Sequence, residues 1–364
     1  MSDKQLWKGR RPTRSVRAGS LIIGGTAPVS VQSMTNTDTS DFKATAEQTK
    51  ALAEAGCDAV RIAVPDKHCV GIFEYIRQEG ITVPLIADIH FDYRLAIESV
   101  RHGADKVRVN PGNLGGLERL FAVADVCAER NVPIRIGVNS GSIQKSLLEK
   151  YGSPTAEALA ESALEYVRAL EREGFYDIVV SVKSSDVMTM VEASRIVAEN
   201  CECPIHIGVT EAGTPQRGTI KNAVGIGALL CLGIGDTIRV SLSSDPLLEV
   251  KAGRYILDAC GLSSSGIDLI SCPTCGRTKI NLFDILSELE NRLDEIDTKG
   301  KRIKVAVMGC AVNGPGEARS ADVGIAGGNG DAVIFRHGEI IGRVTNSEAA
   351  EALIREIYNI INED

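Results

Sequence analysis

The sequence predicts an α/β protein in which an N-terminal (β/α)8 TIM barrel over residues 1–262 is followed by a smaller α+β domain over 263–364. From position 29 a short apolar run, a polar loop and a longer amphipathic segment recur eight times, the alternation that closes a parallel sheet into a barrel. The last amphipathic segment stops at Gly261, and Ser263-Ser-Ser-Gly266 has the composition of a linker. Beyond it the order of elements changes.

Residues 15–25, Ser-Val-Arg-Ala-Gly-Ser-Leu-Ile-Ile-Gly-Gly, read as a hairpin with a Gly-Ser turn that caps one end of the barrel. The strand runs are 29–33, 59–64, 85–89, 106–110, 134–138, 178–182, 205–210 and 237–241, and the eighth helix covers 247–260. Past the linker, 278–293 reads as a helix, 303–308 as a buried strand leading to Cys310, 323–344 as three short strands and 347–361 as a last helix. A module of about 100 residues can hold its own core. This reading puts Cys272 and Cys275 at the start of a helix and Cys310 at the end of a strand.

The 364 residues exceed one typical domain, and a 44% hydrophobic content is enough to fill two cores. A net charge of -8 argues against a general binder of nucleic acids or anionic membranes. No apolar run approaches the ~20 residues that span a bilayer. The start, Met1-Ser-Asp-Lys-Gln-Leu-Trp-Lys, lacks the apolar stretch of a secretory leader, so ten cysteines point to a reducing, cytoplasmic location. The basic patch at 8–17 has no interleaved aromatics and reads as a solvated leading segment.

Cys272-Pro-Thr-Cys275-Gly sets two thiols three positions apart on a tight turn, a grip for one metal or one cluster edge, and Cys310 adds a third. The fourth ligand is open. With His337 the set is three thiolates and an imidazole, which suits zinc, although no second Cys-x2-Cys pair of a zinc ribbon follows. With Glu317, seven residues after Cys310 across a Gly-Pro-Gly turn, the set suits a [4Fe-4S] cluster whose unique iron carries a weak, hard ligand. The cysteines at 57, 69, 127, 201, 203, 231 and 260 read as small buried hydrophobes.

A barrel of this kind carries its functional groups at the C-terminal ends of its strands. Those ends hold Arg61, Asp88 with His90, Arg108 with Asn110, Arg135 with Asn139, Lys183, Thr210 with Glu211, and Arg239 with Ser241. Five cations around one mouth repel one another unless an anion binds, and guanidinium groups fit phosphate oxygens in pairs, so the expected ligand is a small diphosphate. In the competing reading each arginine pairs with a carboxylate on a neighbouring strand. The loop Asn110-Pro-Gly-Asn-Leu-Gly-Gly116 either offers N–H groups to a phosphate or merely shapes a turn. Glu211 is the candidate proton donor or acceptor, or else a counter-ion to Arg239 or Lys183. Lys183 is also placed where aldolase-type barrels form a Schiff base. His68, His102 and His206 read as structural.

Six segments together carry a family resemblance: Val-Gln-Ser-Met-Thr-Asn-Thr at 31–37, Val-Arg-Val-Asn-Pro-Gly-Asn at 107–113, Ile-Gly-Val-Thr-Glu-Ala-Gly at 207–213, Gly-Asp-Thr-Ile-Arg-Val-Ser at 235–241, Ser-Cys-Pro-Thr-Cys-Gly-Arg-Thr at 271–278, and Met-Gly-Cys-Ala-Val-Asn-Gly-Pro-Gly-Glu at 308–317. Over nearly its whole length the chain resembles the 4-hydroxy-3-methylbut-2-enyl diphosphate synthases of the non-mevalonate isoprenoid pathway, in their shorter bacterial form. The resemblance implies reductive two-electron ring opening and dehydration of 2-C-methyl-D-erythritol 2,4-cyclodiphosphate to 4-hydroxy-3-methylbut-2-enyl diphosphate and water. It implies a [4Fe-4S] cluster on Cys272, Cys275, Cys310 and Glu317, in a domain like that of sulfite and nitrite reductases. It assigns substrate binding to Arg61, Arg108, Asn110, Arg135, Asn139, Lys183, Arg239 and Ser241, and acid–base catalysis to Glu211. A homodimer reduced by flavodoxin or ferredoxin completes the expectation. Two rivals stand beside it: a Schiff-base aldolase on Lys183, and a metal-containing regulator that senses a phosphometabolite.

Overall fold

Branched residues at every second position give the strands of the first unit one apolar face, which packs outward against helices. The computed structural model describes residues 9–263, 265–293, 295–310, 320–328 and 331–363, and the chain divides into two compact units, 1–262 and 263–364.

In the first unit a hairpin of β1 (Val16–Ala18) and β2 (Leu21–Ile23) precedes β3 (Ser30–Met34), β4 (Ala59–Ala63), β5 (Leu85–Ile89), β6 (Lys106–Val109), β7 (Ile134–Asn139), β8 (Ile178–Lys183), β9 (His206–Ile207) and β10 (Thr237–Ile238). The last eight are parallel in the order β8-β7-β6-β5-β4-β3-β10-β9, and a bridge from Val180 to Ile205 joins the two outer strands. The expected (β/α)8 barrel is therefore present. Its helices are α1 (Phe42–Glu54), α2 (Ile72–Gln78), α3 (Tyr93–Arg101), α4 (Pro111–Leu114), α5 (Leu117–Arg130), α6 (Lys145–Tyr151), α7 (Ala156–Arg172), α8 (Val187–Asn200), α9 (Pro215–Cys231) and α10 (Pro246–Ala259). Asp41, Asp92, Thr155, Asp186 and Asp245 cap five of them by accepting from an N–H in the first turn.

β9 and β10 are shorter than the runs 205–210 and 237–241 suggest. The rest of each run leaves the ladder to carry Gly208, Thr210, Arg239 and Ser241 into the mouth. The outward positions, among them Val60, Ile62, Val107, Ile134, Ile136 and Val180, form one core with the helices. Many inward positions are polar, among them Gln32, Arg61, Asp88, Lys106, Arg108 and Arg135, whereas barrels of this architecture ordinarily fill the interior with branched aliphatics.

The hairpin closes the end of the barrel opposite the strand C-termini. Val16, Ala18 and Ile23 pack on Val179 near the start of β8. The basic leading segment departs from the solvated reading. Arg10 pairs with Asp236 at 2.8 Å, Arg11 donates to the carbonyls of Ala198 and Cys203 at 2.9 and 2.6 Å, and Arg14 meets Glu171 at 2.6 Å. These side chains fasten the segment beneath the barrel, a task that needs carbonyl and carboxylate partners rather than aromatics.

The second unit holds β11 (Gly266–Ser271), α11 (Leu282–Leu293), β12 (Arg302–Met308), β13 (Val323–Gly327), β14 (Ala332–Arg336), β15 (Glu339–Val344) and α12 (Ala349–Asn362). Its sheet runs in that strand order, with β11, β12 and β13 parallel and β14 and β15 antiparallel. Ile285 and Leu289 of α11 and Leu353 and Ile357 of α12 pack on Val305, Val307 and Ile325. β11 was hidden in the sequence because it is a half-buried edge strand directly behind Ser-Ser-Ser. The helix starts at Leu282 rather than 278, since Thr278 closes a turn back to the carbonyl of Cys275 at 3.0 Å.

Candidate functional site

At the C-terminal ends of the barrel strands a cavity of ≈ 160 Å³ is lined by Arg61, Arg108, Arg135, Lys183 and Arg239, together with Asn139, Ser241 and Thr210. Glycine makes room for them. A Cβ on Gly137 of β7 would lie 2.6 Å from Nε of Arg108, and one on Gly208 would meet the Arg239 carbonyl oxygen at 2.2 Å and Lys183 Nζ at 3.4 Å. At 137 the Arg108 guanidinium, and at 208 the Arg239 carbonyl, occupy the space that any larger residue would fill.

The carboxylate pairing expected under the competing reading accounts for three of the five cations. Asp88 lies 3.1 Å from Arg108 and 3.7 Å from Arg61, and Glu249 of α10 grips Arg239 through both its oxygens at 3.1 to 3.2 Å. Arg135 and Lys183 have no carboxylate within ion-pairing distance among the described residues. Arg135 is fully buried and donates to Gln32 Oε1 at 3.0 Å, while its Nε has no protein partner. A cationic excess therefore remains.

The titration of these groups records the crowding. Burial, then Arg61, Arg239, Arg135 and Arg108, push the Lys183 amine well below its usual range. Burial, partly offset by Asp88, brings Arg61 down to about 10, with Arg239 and Arg108 adding to the shift. Burial alone would raise the Asp88 carboxyl, but Arg61, the His90 hydrogen bond and Arg108 outweigh it and hold the group well below the carboxylate range. A bound anion relieves like-charge repulsion of this kind.

Asn110 is buried with Oδ1 unpaired, and it is not among the residues that line the cavity. Residues 111–114 form a short helix, so the loop reading of 110–116 gives way to a helical turn. Glu211 is exposed beside Thr210 and adopts φ 52, a left-handed conformation that is costly for a residue with a Cβ and is concentrated at functional sites. It makes no ion pair among the described residues, and Arg239 has Glu249 instead, so the counter-ion reading of Glu211 has no support. Sequence reasoning passed over Glu249, Gln32 and Ser181. Glu249 had one usable signal, a carboxylate between buried neighbours Pro246, Val250 and Gly253 on a helix. His90 was noted at its strand end without a role; its Nε2 lies 3.2 Å from Arg108.

A larger groove of ≈ 840 Å³ on the barrel flank is lined by Arg14, Arg168 and Arg172 against Glu165 and Glu171, with Arg14 paired to Glu171, so it does not gather cations as the mouth does.

In the second unit Cys272 and Cys310, far apart in sequence, come to the same end of the sheet. Ser271 of β11 is in register with Val307 of β12, so Cys272 and Cys310 leave adjacent parallel strands on the same side. Cys272 is therefore at a strand end, not at a helix start. Gly309 N–H donates to Cys272 Sγ at 3.1 Å, and Lys279 N–H to the Gly309 carbonyl at 2.8 Å, which lays the 272–279 turn against Cys310. Backbone and side-chain hydrogen bonds from Arg277 hold the Cys275 thiol below its usual value, toward the thiolate. Soft sulfur donors brought to one end of the sheet are a donor set suited to a thiolate-bound metal or cluster.

Among the described residues no three His, Cys, Asp or Glu side chains converge closely enough to hold a metal ion, and Glu317 lies outside the described residues. His337 is removed from the set. It follows β14 at the opposite end of the sheet, where its N–H donates to the Asp322 carbonyl at 3.0 Å and its ring is 3.9 Å from the Asp322 carboxylate.

Comparison with known proteins bears on both units. A family model described as the GcpE TIM-barrel domain matches residues 13–254, and one described as the GcpE protein C-terminal domain matches 268–359. Curated relatives named 4-hydroxy-3-methylbut-2-en-1-yl diphosphate synthase (flavodoxin) include that of Clostridium perfringens, 56% identical over 96% of this chain and 99% of its own. That of Caldanaerobacter subterraneus subsp. tengcongensis is 53% identical over 98% of this chain and 99% of its own. The Geobacter sulfurreducens protein is 54% identical over 96% and 98%. Among solved structures, dihydropteroate synthase of Yersinia pestis covers 68% of this chain and 98% of its own at 14% identity, with a TM-score of 0.48, too distant to inform the chemistry. Matched in both units and identical to these relatives at more than half of the aligned positions, the chain belongs to the GcpE family.

Proposed function

We infer that the chain is an oxidoreductase that opens 2-C-methyl-D-erythritol 2,4-cyclodiphosphate reductively to 4-hydroxy-3-methylbut-2-enyl diphosphate and water, the product for which its curated relatives are named. The observation that carries the substrate assignment is the barrel mouth: five cations around one small cavity, with Asp88 the single acidic group in its lining.

Two electrons and two protons enter the substrate and one water leaves. Arg61, Arg108, Arg135, Lys183 and Arg239 hold the diphosphate, with guanidinium forks fixing its orientation. Asn139 and Ser241 complete the hydrogen bonds around the ring. Glu211, at the rim, delivers a proton to the departing hydroxyl, which leaves as water. Cys272, Cys275 and Cys310, with Glu317, are the residues to hold a [4Fe-4S] cluster, which when bound supplies electrons one at a time. Flavodoxin is the proposed donor, in keeping with the relatives' names, and ferredoxin is the alternative. No helix among the described residues is long and apolar enough to cross a membrane. A cytoplasmic homodimer is the form in which we propose the chain acts.

Arg135→Ala is expected to weaken binding of the cyclic diphosphate by about 10- to 100-fold, the worth of a buried charged hydrogen bond, with iron content unchanged. Calorimetric titration measures this, and an unaltered affinity would remove Arg135 from the phosphate set. The cofactor assignment is tested by iron, zinc and acid-labile sulfide per chain in protein purified without oxygen. About four iron and four sulfide are expected. One zinc without sulfide would overturn the reductase reading.

A further inference from the structure

One buried cation of the barrel has no part in the scheme above. Lys106 opens β6 two residues before Arg108, points into the barrel one layer below the mouth, and is 1% exposed. No carboxylate pairs with it among the described residues, because Asp88 is taken by Arg61 and Arg108. Arg61 on β4, Asp88 on β5, Arg135 on β7, Lys183 on β8, His206 on β9 and Arg239 just after β10 share the interior with it, beside neutral Gln32 on β3. The layer is unsaturated: both ring nitrogens of His206, Nε of Arg135 and Nε2 of Gln32 have no protein partner.

A buried lysine beneath a ring of arginines is a poor structural element. Replacing such a charge by an apolar group of equal size is commonly neutral or stabilising, so its presence calls for another account. We propose that Lys106 is a proton acceptor of the diphosphate site beneath Lys183, taking up a proton when the anion enters the barrel and releasing it when the anion leaves. The inference rests on the diphosphate reading of the mouth and deepens it.

The electrostatics give the sign. Burial first, then Arg135 and Arg61, disfavour the ammonium form and hold Lys106 well below the usual lysine range. His206 is pushed down in the same way by burial, Arg135, Lys183 and Lys106, so the floor of the site sheds charge. An anion seated among the arginines cancels their repulsion on Lys106 and restores its proton. The ring opening then adds to the need, since a cyclic diphosphate carries one acidic hydroxyl per phosphorus and the opened diphosphate monoester carries one more. Lys106 is thus a positioning residue for charge. It reaches the substrate through Arg135 and Arg61 and does not touch the reacting atoms.

The test is calorimetric titration of the holoenzyme, without reductant, with 2-C-methyl-D-erythritol 2,4-cyclodiphosphate at mildly alkaline pH in two buffers of different ionisation enthalpy. Both acidic hydroxyls of this probe stay ionised across the range, so proton exchange with buffer reports on the protein. Lys183, depressed by the same arginines, recovers its proton alongside Lys106, so wild type is expected to take up more than one proton per site, and Lys106→Met to bind more weakly and take up about one proton fewer. The same uptake in wild type and Lys106→Met overturns this inference alone. Absence of binding by wild type overturns the diphosphate reading and this inference with it.

A second readout does not depend on the ligand. A lysine whose folded value is depressed binds fewer protons folded than unfolded, so it makes stability rise with pH up to the unfolded lysine range. Lys106→Met is expected to melt higher than wild type at neutral pH and to flatten that rise, whereas a lower melting temperature with an unchanged slope would assign Lys106 a packing role. Lys106→Gln serves as the second variant, and the same reduction of about one proton is expected of it.

Discussion

Glu211→Gln is expected to lower turnover by about 10²- to 10⁴-fold while iron content and affinity for the cyclic diphosphate stay near those of wild type. Glutamine keeps the size and hydrogen-bonding reach of the side chain but cannot supply a proton. The left-handed backbone at Glu211 is the structural reason for choosing this residue over others at the rim. A bulky residue held at φ 52 needs a return for its strain, and among the described residues neither an ion pair nor burial provides one. Steady-state assays with a reduced carrier, paired with calorimetric binding, separate the two effects. Activity within a few-fold of wild type would remove Glu211 from the chemistry, and a loss of affinity matching the loss of rate would make it a binding group instead.

Cys310→Ser is expected to remove the cluster and reduce turnover below detection. Cys310 is 7% exposed at the end of β12, beside the Gly309 N–H that donates to Cys272. A serine there presents a hard oxygen that is protonated at neutral pH, a poor ligand for iron held otherwise by sulfur. Iron and sulfide should fall together, and the visible absorption of the cluster with them. Binding of the cyclic diphosphate should survive, because every cation assigned to it lies in the first unit. A fully loaded, active Cys310→Ser protein would sink the ligand assignment.

The barrel was legible because its outward residues, such as Ile134, Ile136 and Val138, alternate with polar ones in register with the helices behind them. The mouth was legible for the same reason, since strand ends are fixed once strands are. Partners delivered from elsewhere were not. Glu249 reaches Arg239 from a helix, Gln32 reaches Arg135 across the barrel, and no local pattern announces either. β11 failed as a strand reading because an edge strand buries too little to need a strong alternation. That miss displaced Cys272 from its strand end, although the pairing of Cys272 with the Gly309 segment needed β11 to form. His337 was a reasonable fourth ligand by residue type alone, and only the antiparallel course of β14 carries it to the far end of the sheet.

The central claim is that one chain joins a cationic diphosphate site to reductive chemistry. Its most direct test is anaerobic incubation of the holoenzyme with 2-C-methyl-D-erythritol 2,4-cyclodiphosphate and chemically reduced flavodoxin, following product by phosphorus magnetic resonance and flavodoxin oxidation by absorbance. The account predicts an acyclic diphosphate formed with two one-electron oxidations of flavodoxin per molecule. Ring opening at the same rate without any reductant, or oxidation of flavodoxin that leaves the cyclic diphosphate intact, would contradict it.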